Sequence, residues 1–188
     1  MRKLKLQMQV SVDGFVAGPN GELDWMTWDQ DEKLLGAINE LTDTSDTIVM
    51  GRKMTDGFVN YWTNVLEHPD SPEYSFAKKM VDIPKVVFTK TLDESTWANT
   101  VLAKGNITEE IKQLKERDGN DIVAYGGAGF VTSLVKENLI DDYYLFVNPT
   151  AIGKGITIFG AAGSYRALKL VDSTAYRCGI VVNHYQKV

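Results

Sequence analysis

The chain is poor in the residues that would commit it to several common roles. Its one cysteine, Cys178, excludes an internal disulfide. Its two histidines, His68 in a loop and His184 near the end, are too few and too scattered for a metal site, so no metal is expected. No apolar run approaches the length of a membrane span, and no membrane partner is expected. A basic excess is also missing: 20 Lys and Arg stand against 25 Asp and Glu, for a net charge of -5. That balance argues against a nucleic-acid binder, which needs a basic face. The opening MRKLKLQMQVSVDG is basic, but its apolar residues alternate and no cleavage-like site follows. It reads as a strand rather than a signal peptide, and the cytoplasm is the expected compartment. No linker, repeat or composition shift divides the 188 residues, which suits one domain over 1–188 with one sizeable core.

What the chain does have is a run of alternating strands and helices punctuated by glycine. The stretch Asp121–Gly160 organises it. Asp121–Tyr125 is short, apolar and rich in β-formers. Gly126-Gly127-Ala128-Gly129 follows at once, and Phe130–Glu137 then runs at helical spacing. A glycine turn between a strand end and a helix start frees backbone N–H groups to meet an anion, and the helix dipole adds to the attraction. The same glycines also suit a tight turn that needs positive φ and no side chain. GGAG is not a full dinucleotide fingerprint, so both readings stand on this stretch alone.

Read from the start, Leu4, Leu6, Met8, Val10 and Val12 alternate with Lys3, Lys5, Gln7, Gln9 and Ser11, a period-2 strand. Gly18-Pro19-Asn20-Gly21 is a turn. Trp25 and Trp28 lie in the loop beyond it, either plugging a core edge or lining a pocket. Asp29 to Leu41 is expected to be helical, ended by Ser45-Asp46. Thr47–Met50 is a buried strand, and Gly51-Arg52-Lys53 opens a helix to Tyr61. This is a second strand–glycine–helix junction, with two cations beside it. Arg52 suits a phosphate by charge and fork geometry, or is an ordinary surface arginine. Trp62–Pro72 reads as loop, Glu73–Met80 as helix, Lys85–Phe88 as strand, Val101–Ala103 as a short strand and Ile107–Arg117 as an amphipathic helix. Asp141–Pro149 is a long strand, and Leu168–Tyr176 with Gly179–Gln186 forms a terminal hairpin. The order predicts an α/β fold with a mostly parallel twisted sheet, helices on both faces and a C-terminal antiparallel hairpin. Open sheets of this kind bind ligands beyond the carboxyl ends of their strands.

Three stretches, VSVDGFVAGPNGELDW, VMGRK and AYGGAGF–LIDDYYLFVNPTAIGKG, together resemble the dihydrofolate reductase fold, a three-layer sandwich. The closer likeness is to its branch containing the reductase domain of riboflavin biosynthesis. The matching elements are Gly126-Gly127-Ala128, Leu139-Ile140-Asp141-Asp142, Pro149, Gly153-Lys154-Gly155 and Ile158-Phe159. The closing GIVVNHYQ is similar to that branch's last strand.

The resemblance implies an NADPH-dependent oxidoreductase acting on C=N or C=O. In it, Gly51, Arg52 and Lys53 would hold the adenosine diphosphate portion. Thr89 and Lys90 would lie near the 2′-phosphate. Gly126, Gly127, Ala128 and Gly129 would meet the pyrophosphate, and Val16, Asn20 and Gly21 would edge the nicotinamide. A homodimer is implied as well, with Tyr143, Tyr144 and Phe146 as core or as its face. The carboxylate that folate enzymes carry on the first helix falls, by count from Gly51, at Leu35. Asp31 and Glu32 lie four and three residues earlier, as catalytic candidates or as solvated first-turn acids. Folate is therefore not the expected substrate; a pteridine- or pyrimidine-like small molecule is. Gln9, Asp13, Trp25 and Phe58 complete the expected substrate pocket, although Asp13 would equally shape the turn before Gly14. The alternative is a non-catalytic module that binds a nucleotide as a sensor or homodimeric scaffold.

Overall fold

The chain is described from a computed structural model, which covers residues 1–29, 31–160, 162–163 and 165–188. Among the described residues eight strands form one sheet, in the order β4-β3-β2-β5-β1-β6-β8-β7. The strands are β1 (Leu4–Ser11), β2 (Ser45–Gly51), β3 (Lys85–Phe88), β4 (Thr100–Ala103), β5 (Asp121–Gly126), β6 (Asp142–Asn148), β7 (Leu168–Ala175) and β8 (Val181–Lys187). β1 to β6 run parallel to one another; β8 is antiparallel to both β6 and β7.

The helices are α1 (Glu32–Asp43), α2 (Arg52–Leu66), α3 (Tyr74–Asp82), α4 (Ile107–Glu116) and α5 (Ala128–Lys136). Crossovers between parallel strands are right-handed, so the direction of travel across the sheet fixes the face. The chain moves one way from β1 to β4, putting α1–α3 on one face. It then returns through β5 to β6, putting α4 and α5 on the other. The packing agrees. Leu4, Leu6, Ile122 and Ala124 meet Ile111, Leu114, Val131 and Leu134 of α4 and α5. Ile48, Met50 and Val87 meet Phe58 and Met80 of α2 and α3. Phe146 and Val182 meet Leu34 and Ile38 of α1. Burying one such side chain stabilises the fold by about 2 kcal/mol.

Three expectations shift. The first helix begins at Glu32 rather than Asp29, because Asp31 is its N-cap: the carboxylate accepts from the Lys33 and Leu34 N–H groups. Ser45-Asp46 starts a strand instead of merely ending the helix. The second helix runs on to Leu66, where Val65 is buried and Trp62 packs edge-on against Phe58 and Phe76, so the expected loop from Trp62 is helical in its first five residues. One feature of β1 is misleading in sequence. Its polar side looks like a solvent face but is covered, and Lys5 is buried with its ammonium on Asp121 and Thr44.

Candidate functional site

The carboxyl ends of β3, β2 and β5 lie side by side, since Gly51 pairs with Phe88 and Met50 with Gly126. Two helices start there. Gly51 is the N-cap of α2 and Gly127 that of α5, and neither offers a side chain to the first-turn N–H groups. By contrast α1 and α4 are capped by the side chains of Asp31 and Asn106. The α3 cap, Glu73, makes no side-chain bond either, so what sets the glycine junctions apart is that both uncapped starts lie at the ends of adjacent strands. They also touch. A Cβ on Gly127 would lie 3.6 Å from the Gly51 backbone, and one on Gly51 would lie 2.8 Å from the Phe130 Cβ. Gly126 and Gly127 sit at φ 134° and 79°, so this backbone needs glycine. Behind it Phe88 and Phe130 pack with ring centroids 4.8 Å apart.

Arg52 and Lys53 occupy the first turn of α2, which has no acid in it. Cations there oppose the helix dipole. Neither side chain makes a hydrogen bond or ion pair among the described residues, and an anion would relieve the mismatch. Thr89 and Lys90, at the end of β3, are engaged within the protein instead. The Thr89 hydroxyl accepts from the Thr91 and Leu92 N–H groups, and the Lys90 ammonium donates to the carbonyls of Lys104 and Gly105 at 2.8 Å.

The first loop is held at both ends. Asp13 accepts from the Ser11 hydroxyl and from the N–H groups of Ile152 and Gly153, and these bonds hold its carboxyl below the ordinary range. Asp13 is thus a loop clamp, the turn-shaping alternative. Val16 is buried, and its N–H donates to Ile156. Ala17 bridges Ile156 so closely that a Cβ on Gly155 would lie 2.2 Å from the Ala17 carbonyl, which explains glycine there. Beyond the bridge, Asn20 donates to Glu22, Gly21 turns at φ 94°, and the Trp25 indole donates to the Glu22 carbonyl. At the far end Thr27 N–H donates to Asn148.

The expected acids change role. The Asp31 carboxylate accepts from Leu34, Lys33 and, across the chain, Cys178 N–H. Partial burial pushes its pKa up, yet these backbone bonds outweigh it and hold the group low. Asp31 is therefore an ionised cap tying α1 to the terminal hairpin, unsuited to donate a proton. Glu32 is exposed. Phe58 is not a pocket residue: it is 8% exposed, in the core, with its ring 5.5 Å from that of Tyr125. Burial pushes the Tyr125 phenol up to about 12, and its hydroxyl bonds Thr42. Gln9, by contrast, is partly buried near the end of β1 and accepts from Asn148 at 2.7 Å. Asn148 itself was not among the expected residues. An asparagine ending a strand whose neighbours are otherwise apolar is the signal that points to it.

A cavity of about 440 Å³ lies at the opposite, amino end of the sheet, beside Arg2 and Lys115. The Arg2 guanidinium there is already used by Asp46, Thr47 and the Asn120 carbonyl, so it holds the fold together. Among the described residues no group of His, Cys, Asp and Glu could hold a metal ion. None of the helices described is long and apolar enough to cross a membrane.

Comparison with known proteins decides the family. The RibD C-terminal domain model matches residues 2–182. The chain belongs to that family. YyaP of Bacillus subtilis (strain 168), itself described as uncharacterized, is 33% identical over 180 residues, which cover 96% of this chain and 92% of YyaP. Among solved structures, a Thermotoga maritima diaminohydroxyphosphoribosylaminopyrimidine deaminase/5-amino-6-(5-phosphoribosylamino)uracil reductase has a TM-score of 0.69 at 16% identity. The match covers all of this chain and 57% of that one. A dihydrofolate reductase from Enterococcus faecalis, complexed with NADP(H), has a TM-score of 0.61 at 15% identity, covering 98% and 96%. The RibD C-terminal chain thus has the dihydrofolate reductase-like fold expected from its sequence.

Proposed function

We propose that the protein is an NADPH-dependent reductase that transfers a hydride to an electron-poor C=N or C=O of a pyrimidine- or pteridine-like small molecule. The observation that carries this reading is the pair of uncapped helix starts at Gly51 and Gly127, in contact with each other, with Arg52 and Lys53 against the dipole of α2. That donor set fits a pyrophosphate with a further phosphate beside it. Membership of the RibD C-terminal family and the fold shared with an NADP(H)-bound reductase support it.

In this reading the Gly127–Gly129 N–H groups and Arg52 bind the cofactor phosphates. NADPH supplies the hydride when bound. The chain's part is to orient the two partners and exclude water, with the first loop as cover. Asp31 is committed as an ionised cap and Glu32 is exposed, so a substrate that is already electron-poor suits the site better than one needing strong acid catalysis. We also propose that the molecule works in the cytoplasm and as a homodimer.

The test is titration of NADPH, with NADH alongside, by energy transfer from the tryptophans. Binding of NADPH over NADH, weakened at least tenfold in Arg52→Ala, is expected. No binding of either would sink the reductase reading. Cofactor binding with no turnover of any oxo- or aminopyrimidine or pteridine would instead favour a sensor.

A further inference from the structure

On β1, Lys5, Gln7, Gln9 and Ser11 lie on the face opposite Leu4, Leu6, Met8 and Val10, and Gln9 is the amide nearest the carboxyl end of the strand. Its orientation is fixed by Asn148, which is 0% exposed. The Asn148 amide cannot turn over. Its Oδ1 accepts from the Thr27 backbone N–H at 2.8 Å, a group that only donates. Its Nδ2 donates to the Phe146 carbonyl at 3.1 Å, a group that only accepts. Reversal would set like against like at both contacts, in a buried site. The second Nδ2 proton therefore goes to Gln9, 2.7 Å away, and the Gln9 atom that meets it must be the amide oxygen. The Gln9 NH2 is thus turned away from Asn148. It has no partner among the described residues, and Gln9 is only partly buried.

We infer that Gln9 determines specificity, with Asn148 as the positioning residue that sets its polarity. The cleft then takes a heterocycle bearing a hydrogen-bond acceptor, a ring carbonyl or imine nitrogen, at the edge that meets Gln9. A ring amino group at that edge is selected against, because two donors would face each other away from water. The inference rests on the reductase reading of the same cleft and narrows its substrate class.

The experiment compares two probes that differ only in the atom on C4 and share bare ring nitrogens, 2-amino-4-methoxypteridine and 2-amino-4-methylaminopteridine, binding to the NADPH-loaded protein. The wild type should favour the methoxy probe by up to about tenfold, the effect of one hydrogen bond between uncharged groups. Asn148→Ala removes the donor that fixes Gln9. It should free the Gln9 amide to turn either way and collapse the preference, although Gln9 is untouched. Gln9→Glu should invert it directly, and Gln9→Met, which keeps the length without the amide, should abolish it. A purely structural role would shift both probes equally. NADPH titration of each protein is the separate arm. Loss of NADPH binding by the wild type would remove the reductase reading itself. Intact NADPH binding with an unchanged probe ratio in Gln9→Glu, or with neither probe bound by the wild type, would overturn this inference alone.

Discussion

At the scale of single residues, the glycine junctions separate two physical effects. At Gly51 the backbone is ordinary and the space is not: an added Cβ meets the Phe130 Cβ at 2.8 Å, and neither atom is the end of a flexible side chain. Gly51→Ala should push α5 off β2, cost about 1–3 kcal/mol of stability as overpacking does, and weaken NADPH binding with it. At Gly127 the space is ordinary and the backbone is not. Gly127→Ala should cost about 1–2 kcal/mol through its φ of 79° alone. Urea unfolding of both variants checks this; alanine tolerated at Gly51 without loss of stability would contradict the contact geometry. Lys85 supplies a pH dependence. Burial lowers its pKa to about 8, only partly opposed by Asp82, while its ammonium donates to the Val81 and Ile83 carbonyls. The folded chain therefore releases this proton near pH 8, and the unfolded chain near the ordinary lysine value of about 10.4. Between those limits the unfolded state holds more protons, so stability should rise with pH by up to about 2 kcal/mol relative to Lys85→Met. Denaturation of both proteins at pH 7.5 and pH 10 measures that difference, and a flat difference would refute the assignment.

At the scale of elements, Asp13 joins two loops that are far apart in sequence, through the N–H groups of Ile152 and Gly153. Asp13→Ala should raise hydrogen exchange in residues 13–18 and 151–158 together while β2 and β5 stay protected; change in one loop only would mean the clamp is not shared. The low pKa of Asp13 keeps the clamp ionised, and so intact, through the neutral and mildly acid range. Elements of this size are also where reading the sequence succeeded and failed. Alternation in β1 and 3.6-residue spacing in α4 and α5 placed the strands, helices and both glycine junctions, because those signals are local. The extension of α2 was hidden because Trp62-Thr63-Asn64 are weak helix formers, held by packing of Trp62 against α3. Asp31 could not be told from an ordinary first-turn acid, since an N-cap and a catalytic carboxylate use the same residue and only the path of the Cys178 hairpin distinguishes them. Phe58 looked available for a pocket because its depth depends on how α2 lies over Tyr125. Asn148 was missed for the same reason: its partners Gln9 and Thr27 are distant in the chain.

At the scale of the whole molecule, the site straddles the layers. The Gly51–Arg52 junction belongs to α2 on one face of the sheet, and the Gly127–Ala128 junction to α5 on the other, with β2 and β5 between them. A ligand that engages both junctions resists separation of the layers, so its binding energy adds to the stability of global unfolding and not to one loop. Saturation at one hundred times the dissociation constant contributes about 2.7 kcal/mol, which for a chain of this size raises Tm by roughly 5–10 °C. NADPH should therefore shift a single cooperative transition upward, with a dependence on the logarithm of its concentration. Arg52→Ala should lose most of that shift at the same cofactor concentration while its own Tm without cofactor stays close to the wild type, because Arg52 has no intramolecular partner to forfeit among the described residues. Gly51→Ala should behave differently, lowering the transition before any cofactor is added. Scanning calorimetry on the three proteins separates these outcomes. A cofactor shift of equal size in Arg52→Ala would show that the phosphates are held elsewhere, and a transition that splits in two would show that the two faces of the sheet do not unfold together.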